Sequence, residues 1–275
     1  MIRLREIESL DLPELAPYRT MRMQALHHRD RCFVAEGAKV VRRLLDSGLG
    51  VMSVLTPPEF LADLRPRLER RAEVIDVFVA PKVVLESLTG FALYQGLLAW
   101  ARMPPPDDLD VVVAKAPRPR FLVALDTIAN SENVGAIVRD AAAFGAHGLL
   151  VGETSAHPYL RRAVRSSMGT VFGMPVVEPV SLVAALGELR RRGIRCVAAH
   201  PHEDRRELPE ARLTGDCCIV LGSEGDGLSP EVRDACDECV AVPMASGVDS
   251  LNVGAAGAVF FYEVWRQRTR AGAVG

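Results

Sequence analysis

The chain has 275 residues, 49% of them apolar and 25% charged, with a formal net charge of −2. That is enough length and apolar content for two domains with separate cores, and it excludes a uniformly basic nucleic-acid coat. No apolar run is long enough to span a membrane, and the acidic opening MIRLREIESLDLPEL is neither a signal nor a transit sequence, so a soluble cytoplasmic protein is expected.

Residues 1 to about 30 read as a helical lead-in that becomes basic between Arg19 and Arg31. A regular alternation follows: strand 32–37, amphipathic helix 38–48, strand 51–56, a proline-interrupted helix from Pro58, strand 74–80, a short helix from Pro81 and strand 95–101. Strands separated by helical patterns predict a small α/β unit with a mainly parallel, covered sheet over 1–103. Consecutive prolines lack N–H donors and favour extended chain, so MPPPDD opens a linker placed at 104–118. A stronger alternation fills 119–275: strands at 121–126, 147–151, 174–178, 194–199, 217–222 and 239–243, each followed by a loop or helix, and a final helix.

In such a sheet the ligand sits at loops that follow strands. Three of these loops carry unusual residues: 127–139, 222–229 and 242–252. The last ends in a cap, Asp249 or Ser250, before a helix whose buried face is Val253, Ala256, Gly257, Phe260 and Val264. Gly254 and Gly257 give up about 1 kcal/mol each of helix propensity, so either the helix packs very tightly or a ligand or second subunit approaches its backbone. GSEGDGLS (222–229) holds Glu224 between glycines, but its spacing is neither that of a dinucleotide fold nor that of a Walker loop. In the first loop Asn133 is a candidate helix cap, and Arg139, among apolar neighbours, is expected to be partly desolvated and to want Glu224 or a phosphate as partner.

Six cysteines without a secretory signal read as reduced thiols. Cys236 and Cys239 form a single CxxC, and HPH at 200–202 has no ligand spacing, so no metal is expected. Lysine occurs only at 39, 82 and 115; the basic residues are otherwise arginine, clustered at Arg19–Arg31, Arg161–Arg165 and Arg190–Arg195. Arginine forks onto phosphate and stacks on bases, although the third cluster reads as a plain solvated helix face.

Taken together, NVGAIVRDAAAFGA (133–146), IVLGSEGDGLS (219–229) and VPMASGVDSLNVGAAGAVFFYE (242–263) resemble the three ordered motifs of the SpoU (TrmH-like) RNA ribose methyltransferases of the SPOUT superfamily. RAVRSSMGTVFGMPV (162–176) is similar to the segment between them, and Glu132 departs from the proline or glycine common before the motif-one asparagine. The N-terminal stretches FVAEGAKVVRRLLDSG and QGLLAWA more loosely resemble the RNA-binding domain, akin to kink-turn-binding ribosomal proteins, that is often fused to this family.

The resemblance implies a deep trefoil knot in 119–275, S-adenosylmethionine bound in it, and a homodimer with active sites at the subunit interface. By position it places Ala199, Gly222, Val242, Met244 and Leu251 at the cofactor, and Arg139, Asn133, Glu224, Ser250 and Asn252 at the reacting ribose. The implied reaction is RNA 2′-O-methylation, with large-subunit ribosomal RNA as the expected acceptor; transfer RNA and a catalytically silent RNA-binding relative are the alternatives.

Overall fold

The fold is that of a computed structural model describing residues 1–86, 88, 96–201 and 206–272. Gln95 and His202, which belong to stretches read above, lie outside the described residues. The chain divides into two compact units, Met1–Pro105 with Pro158–Gly173, and Pro106–His157 with Met174–Gly275.

The first unit contains β1 (Ile2–Glu6), α1 (Ala16–Arg19), α2 (Gln24–Arg29), β2 (Cys32–Glu36), α3 (Ala38–Asp46), β3 (Val51–Thr56), α4 (Pro58–Glu69), β4 (Ile75–Val79), α5 (Lys82–Glu86) and β5 (Leu98–Arg102). The sheet order is β1-β4-β3-β5-β2. It is mixed rather than mainly parallel: β1, β4 and β3 run together, but β5 is antiparallel to both β3 and β2. Periodicity marks strands without fixing their direction, which is why the alternation overstated the parallel character.

The expected helical lead-in is likewise replaced by an edge strand, a 3-10 turn at Pro13–Leu15 and two short helices. Ile2 and Leu4 alternate with Arg3 and Arg5, a period of two. The parallel ladder with β4 pairs the inner side of the β1 backbone, and Arg3 forks onto Asp76 at 2.6 and 2.8 Å. Beneath the sheet, Tyr18, Leu55, Phe78, Leu85 and Leu98 form a core in which the Tyr18 hydroxyl shares a 2.8 Å hydrogen bond with Ser53.

The segment Pro158–Gly173 belongs to this unit through a short helix against β2. Phe33, Tyr159 and Phe172 stack there, with centroids 5.2 Å apart for the first pair and 5.7 Å for Phe33 and Phe172. Arg161 and Arg165 both donate to Glu36, whose side chain is 7% exposed. Two members of the second arginine cluster therefore pair with a buried carboxylate, Arg165 while remaining exposed itself, and Arg162 is exposed as well.

The second unit contains α6 (Leu109–Lys115), β6 (Phe121–Leu125), α7 (Ser131–Ala143) and β7 (Gly148–Val151). The chain then passes through α8 (Arg161–Ser166), the helix of the first unit just described, and returns as β8 (Val176–Val177) and α9 (Leu182–Arg191). It ends with β9 (Arg195–Ala199), β10 (Arg206–Glu207), β11 (Cys217–Leu221), α10 (Pro230–Asp234), β12 (Glu238–Ala241) and α11 (Val253–Arg270). Within the stretch read as linker, Asp108 caps α6 by accepting the Val111 N–H at 3.1 Å. Val112 and Val113 of that helix join the core made by Leu122, Leu150, Leu186 and Val220.

The sheet order is β10-β12-β9-β11-β6-β7-β8, and every pairing among the described residues is parallel. Parallel strands bring their C-terminal ends to one edge, so the loops after β6, β9, β11 and β12 share it. The third arginine cluster is spent on ion pairs, Arg190 with Asp237 at 2.8 Å, Arg192 with Glu188 at 2.6 Å and Arg195 with Glu238 at 2.6 Å.

The small residues of α11 are explained within the chain. A Cβ on Gly254 would lie 3.3 Å from Ala136 Cβ, and one on Gly257 would lie 3.1 Å from Leu221 Cδ1, so α11 sits close against α7 and β11. The helix is also pinned at its far end by Arg268, 3% exposed, which donates to the carbonyls of Pro119 (2.8 Å), Arg120 (2.7 Å) and Gly215 (2.7 Å). The guanidinium fork serves several acceptors at once. Arg268→Ala is therefore expected to destabilise the fold by about 3 kcal/mol by leaving buried carbonyls without donors, and Arg268→Lys to restore little of it. Urea unfolding would check this; a loss below about 0.5 kcal/mol, typical of a surface substitution, would deny the hub its role.

Burial, assisted by the nearby cations Arg268 and Arg120, lowers the pKa of His147, whose neutral ring accepts the Phe121 N–H at 3.0 Å. The six cysteines are free thiols. Burial raises the Cys217 pKa to about 11 and pushes Cys236 and Cys239 up as well, while a hydrogen bond with Cys196, followed by burial, raises that of Cys218, so these groups stay protonated and act as small apolar residues.

Candidate active site

At the shared edge of the second sheet, the loops after β9, β11 and β12 and the first turns of α11 enclose a cleft of about 230 Å³. Ala199, Gly222, Val242, Met244 and Leu251, the five positions expected to hold a cofactor, all line it, together with Glu224 and Ser250. Its walls are backbone and apolar side chains, Leu221, Val240, Val253 and Phe260 among them, and its mouth carries the carboxylates Glu224, Asp226 and Asp249.

The loop after β11 takes this shape because it folds back on itself. Ser223 N–H donates to Gly227 O at 2.8 Å, Gly227 N–H returns a bond to Ser223 O at 3.1 Å, and Gly227 adopts φ 72°, which favours glycine. Gly222 is packed directly onto the returning strand: a Cβ there would lie 2.3 Å from Gly227 C and 2.4 Å from Leu228 N. The two glycines are thus a steric requirement of the turn.

Three of the five expected reaction residues meet through one carboxamide. Asn252 Nδ2 donates to Asn133 Oδ1 at 3.2 Å and to Glu224 Oε1. Asn252 Oδ1 accepts the N–H groups of Gly254 (3.0 Å) and Ala255 (3.3 Å). Asn252 is therefore the cap of α11, and the cap expected from Asp249 or Ser250 is corrected: both lie in the exposed loop, before the helix begins, and line the cleft. The cap of α7 is corrected in the same way. Asn130 accepts the Glu132 N–H at 2.9 Å, which releases Asn133, one turn in, to receive Asn252.

Arg139 stands apart from this group. It does not line the cleft, and among the described residues it has no hydrogen bond or ion pair. It is exposed rather than partly desolvated, because its apolar neighbours in sequence turn away from it: Val134, Ile137, Val138 and Ala141 form the buried face of α7, and at 100° per residue position 139 falls outside that stripe. Glu224, one of its two expected partners, is engaged by Asn252 instead. Partial burial raises the pKa of Asp140, an effect that the charge of Arg139 offsets in part.

The description "SpoU rRNA Methylase family" is that of the family model which matches residues 120–262, more than half of the chain. The chain belongs to this family. A relative from Mycobacterium avium (strain 104), described as an uncharacterized tRNA/rRNA methyltransferase, is 38% identical over 199 residues, 70% of this chain and 63% of the relative. The chain thus spans less than two thirds of that relative's length. The SpoU methyltransferase AviRb from Streptomyces viridochromogenes, solved with the cofactor AdoMet, is similar with 28% identity and a TM-score of 0.78, over 93% of this chain and 99% of that one. A structure described as an RNA 2′-O ribose methyltransferase is similar with 27% identity and a TM-score of 0.77, over 96% of this chain and all of that one.

For this SpoU chain the sequence reading gave Ser223 and Asp226 no role, His200 only a rejected ligand spacing and Phe260 only a core position, yet all four line the cleft. It also passed over Asp126, buried at the end of β6 and bonded to the loop after β11. A polar residue closing an apolar strand at the ligand-bearing edge was the signal available for Asp126. Nothing local marked Phe260, because a cleft wall and a core position on a helix have the same spacing.

Proposed function

We propose that this protein transfers a methyl group from S-adenosylmethionine to a ribose 2′-hydroxyl of RNA, in large-subunit ribosomal RNA, as a cytoplasmic homodimer with a knotted second unit. The observation that carries this reading is the convergence of three loops on one cleft, with Asn252 joining the motif-one and motif-two residues Asn133 and Glu224 beside it. The cleft suits the cofactor in its chemistry: backbone edges and apolar walls for an adenine and a thioether chain, carboxylates at the mouth for cationic groups. Gly222, Val242 and Leu251 would hold it chiefly through backbone groups, with Ala199 and Met244 beside them. The bound cofactor supplies a methyl group on a sulfonium, whose carbon–sulfur bond breaks with both electrons going to sulfur.

The chain's own task is at the acceptor oxygen. The 2′-oxygen forms the new bond to carbon and loses its proton, so negative charge must be stabilised there as the bond forms. A guanidinium with a pKa above about 12 is a poor base. Arg139, exposed and without a hydrogen bond or ion pair among the described residues, would grip the adjacent phosphate and stabilise the developing alkoxide, while the proton leaves through phosphate or water. Asn133, Glu224, Ser250 and Asn252 would orient the ribose, and this orientation carries much of the rate.

Exposed apolar residues on α11, Val259, Tyr262 and Trp265 at 38–48%, support a second copy as partner. RNA capture at a distance from the reacting ribose is assigned to the first unit through its basic stretch Arg19–Arg31. Phosphate would have to compete there with existing partners: Arg19 donates to Leu12 O at 2.9 Å and Arg29 pairs with Asp30 at 3.2 Å, and in the nearby basic pair Arg42 binds Asp63 at 2.7 Å and Arg43 donates to Met168 O at 2.9 Å.

Labelled S-adenosylmethionine with total RNA from a strain lacking the protein tests the reading. The expected result is label on a 2′-O-methyl nucleoside in large-subunit ribosomal RNA. A labelled base overturns the chemistry, and label confined to transfer RNA overturns the acceptor. Absence of label with intact cofactor binding would favour a silent RNA-binding protein.

A further inference from the structure

Asp126 is buried at 5% exposure at the C-terminal end of β6, does not line the cleft, and is none of the residues given a role above. Its contacts are unusual in where they land. Its N–H donates to Leu221 O at 2.8 Å, the last residue of β11, and its Oδ2 accepts the Ser229 N–H at 2.7 Å, the residue before α10. These are the two stems of the loop that carries Gly222 and Glu224, so one residue ties both ends of that loop to a neighbouring strand.

The chain around Asp126 is held to keep it there. Thr127 has φ 54°, the left-handed region, where a β-branched side chain is strained; such strain persists only where surrounding structure over-determines it. Thr127 Oγ1 donates to Asp126 O at 2.8 Å. On the other side Ser155 Oγ receives the Ile128 N–H at 3.1 Å and donates to Leu125 O at 3.2 Å, and Ala156 N–H donates to Ile128 O at 2.8 Å. The turn after β6 is thus fastened from both flanks, with its carboxylate aimed at the 222–229 loop. A buried carboxylate accepting a backbone N–H makes a stronger bond than a neutral acceptor would and is costly to leave unpaired.

We infer that Asp126 is a positioning residue for the cofactor, acting through the Gly222–Ser229 loop and not by touching the ligand. The inference rests on the reading of the cleft as the S-adenosylmethionine site. Loss of the carboxylate frees the Ser229 stem, and the loop's backbone groups lose the fixed spacing that the ligand requires; binding then includes the cost of ordering them.

Calorimetric titration of the full-length protein with S-adenosylmethionine tests this. Asp126→Ala is expected to raise Kd at least tenfold, while Asp126→Asn, which keeps an acceptor oxygen, stays within threefold of wild type. Val123→Ala, in the core of the same strand, is expected to lower the melting temperature and leave Kd unchanged. Wild-type Kd in a folded Asp126→Ala overturns the inference, and so does equal weakening by Val123→Ala, because the loss would then follow general stability. Should Asp126→Ala fail to fold, Ser229→Pro takes its place: Ser229 has φ −58° and ψ 147°, angles proline accepts, so the N–H that Asp126 receives is removed together with a hydroxyl that makes no cap bond. An unchanged Kd in that variant overturns the inference too. Failure of the wild type to bind overturns the cofactor reading itself, and the wild-type titration separates that outcome from the others.

Discussion

Gly222→Ala is expected to weaken S-adenosylmethionine binding roughly 10- to 100-fold, by the cost of forcing a methyl group into a filled site. The added Cβ would lie 2.3 Å from Gly227 C and 2.4 Å from Gly227 O, both backbone atoms that no rotamer change can move aside. Relief requires the returning limb of the loop to shift, and that limb is tied down by the reciprocal Ser223 and Gly227 bonds and by Ser229 on Asp126. The damage therefore concentrates in the cofactor loop, while the buried strand β11 behind it keeps its ladder with β6 and β9. Calorimetry on a variant whose melting temperature is recorded in parallel would check this; wild-type affinity would mean that the loop is not part of the cofactor site.

Arg139→Ala is expected to lower methyl transfer roughly 100- to 1000-fold, the usual effect of removing a group that stabilises developing negative charge. Affinity for S-adenosylmethionine should stay near that of the wild type, because Arg139 is outside the cleft. Stability should change by no more than about 0.5 kcal/mol, as expected for an exposed residue without partners. Arg139→Lys is not expected to recover turnover, since a point charge cannot reproduce a planar fork on phosphate. Single-turnover transfer to a methylatable RNA would measure it, and near-normal rates in either variant would remove Arg139 from the mechanism.

The two variants separate two kinds of site residue. On the proposed reading Gly222 would be needed for what its missing side chain allows the backbone to do, and Arg139 for a charge that has no ion pair among the described residues. Asn252 has both characters, since one carboxamide caps α11 with its oxygen and joins Asn133 to Glu224 with its nitrogen.

Much of this was legible in the sequence because it is local. The apolar runs at 121–125, 195–199 and 217–221 are buried strands, and a run bounded by turn residues announces itself without knowledge of its neighbours. The ordered motifs could be read because glycines, a proline and a polar pair at fixed spacing are properties of a short stretch, and the family they resemble then placed Gly222, Val242, Met244 and Leu251 within them, and Ala199 outside them, at what proved to be the cleft. What tertiary structure alone decided is whatever depends on residues far apart in the chain. Strand direction in the first unit, hence its mixed sheet, is set by pairing and not by periodicity. Asn133 read as a candidate helix cap and Asn252 only as a motif position, and it is the fold that brings together two residues 119 positions apart and makes one the acceptor of the other. The glycines of α11 were ambiguous between a ligand and packing until Ala136 and Leu221 were found against them. Arg139 looked buried because its sequence neighbours are, yet a helix turns 100° at each step and sends a residue's neighbours in the chain to other faces.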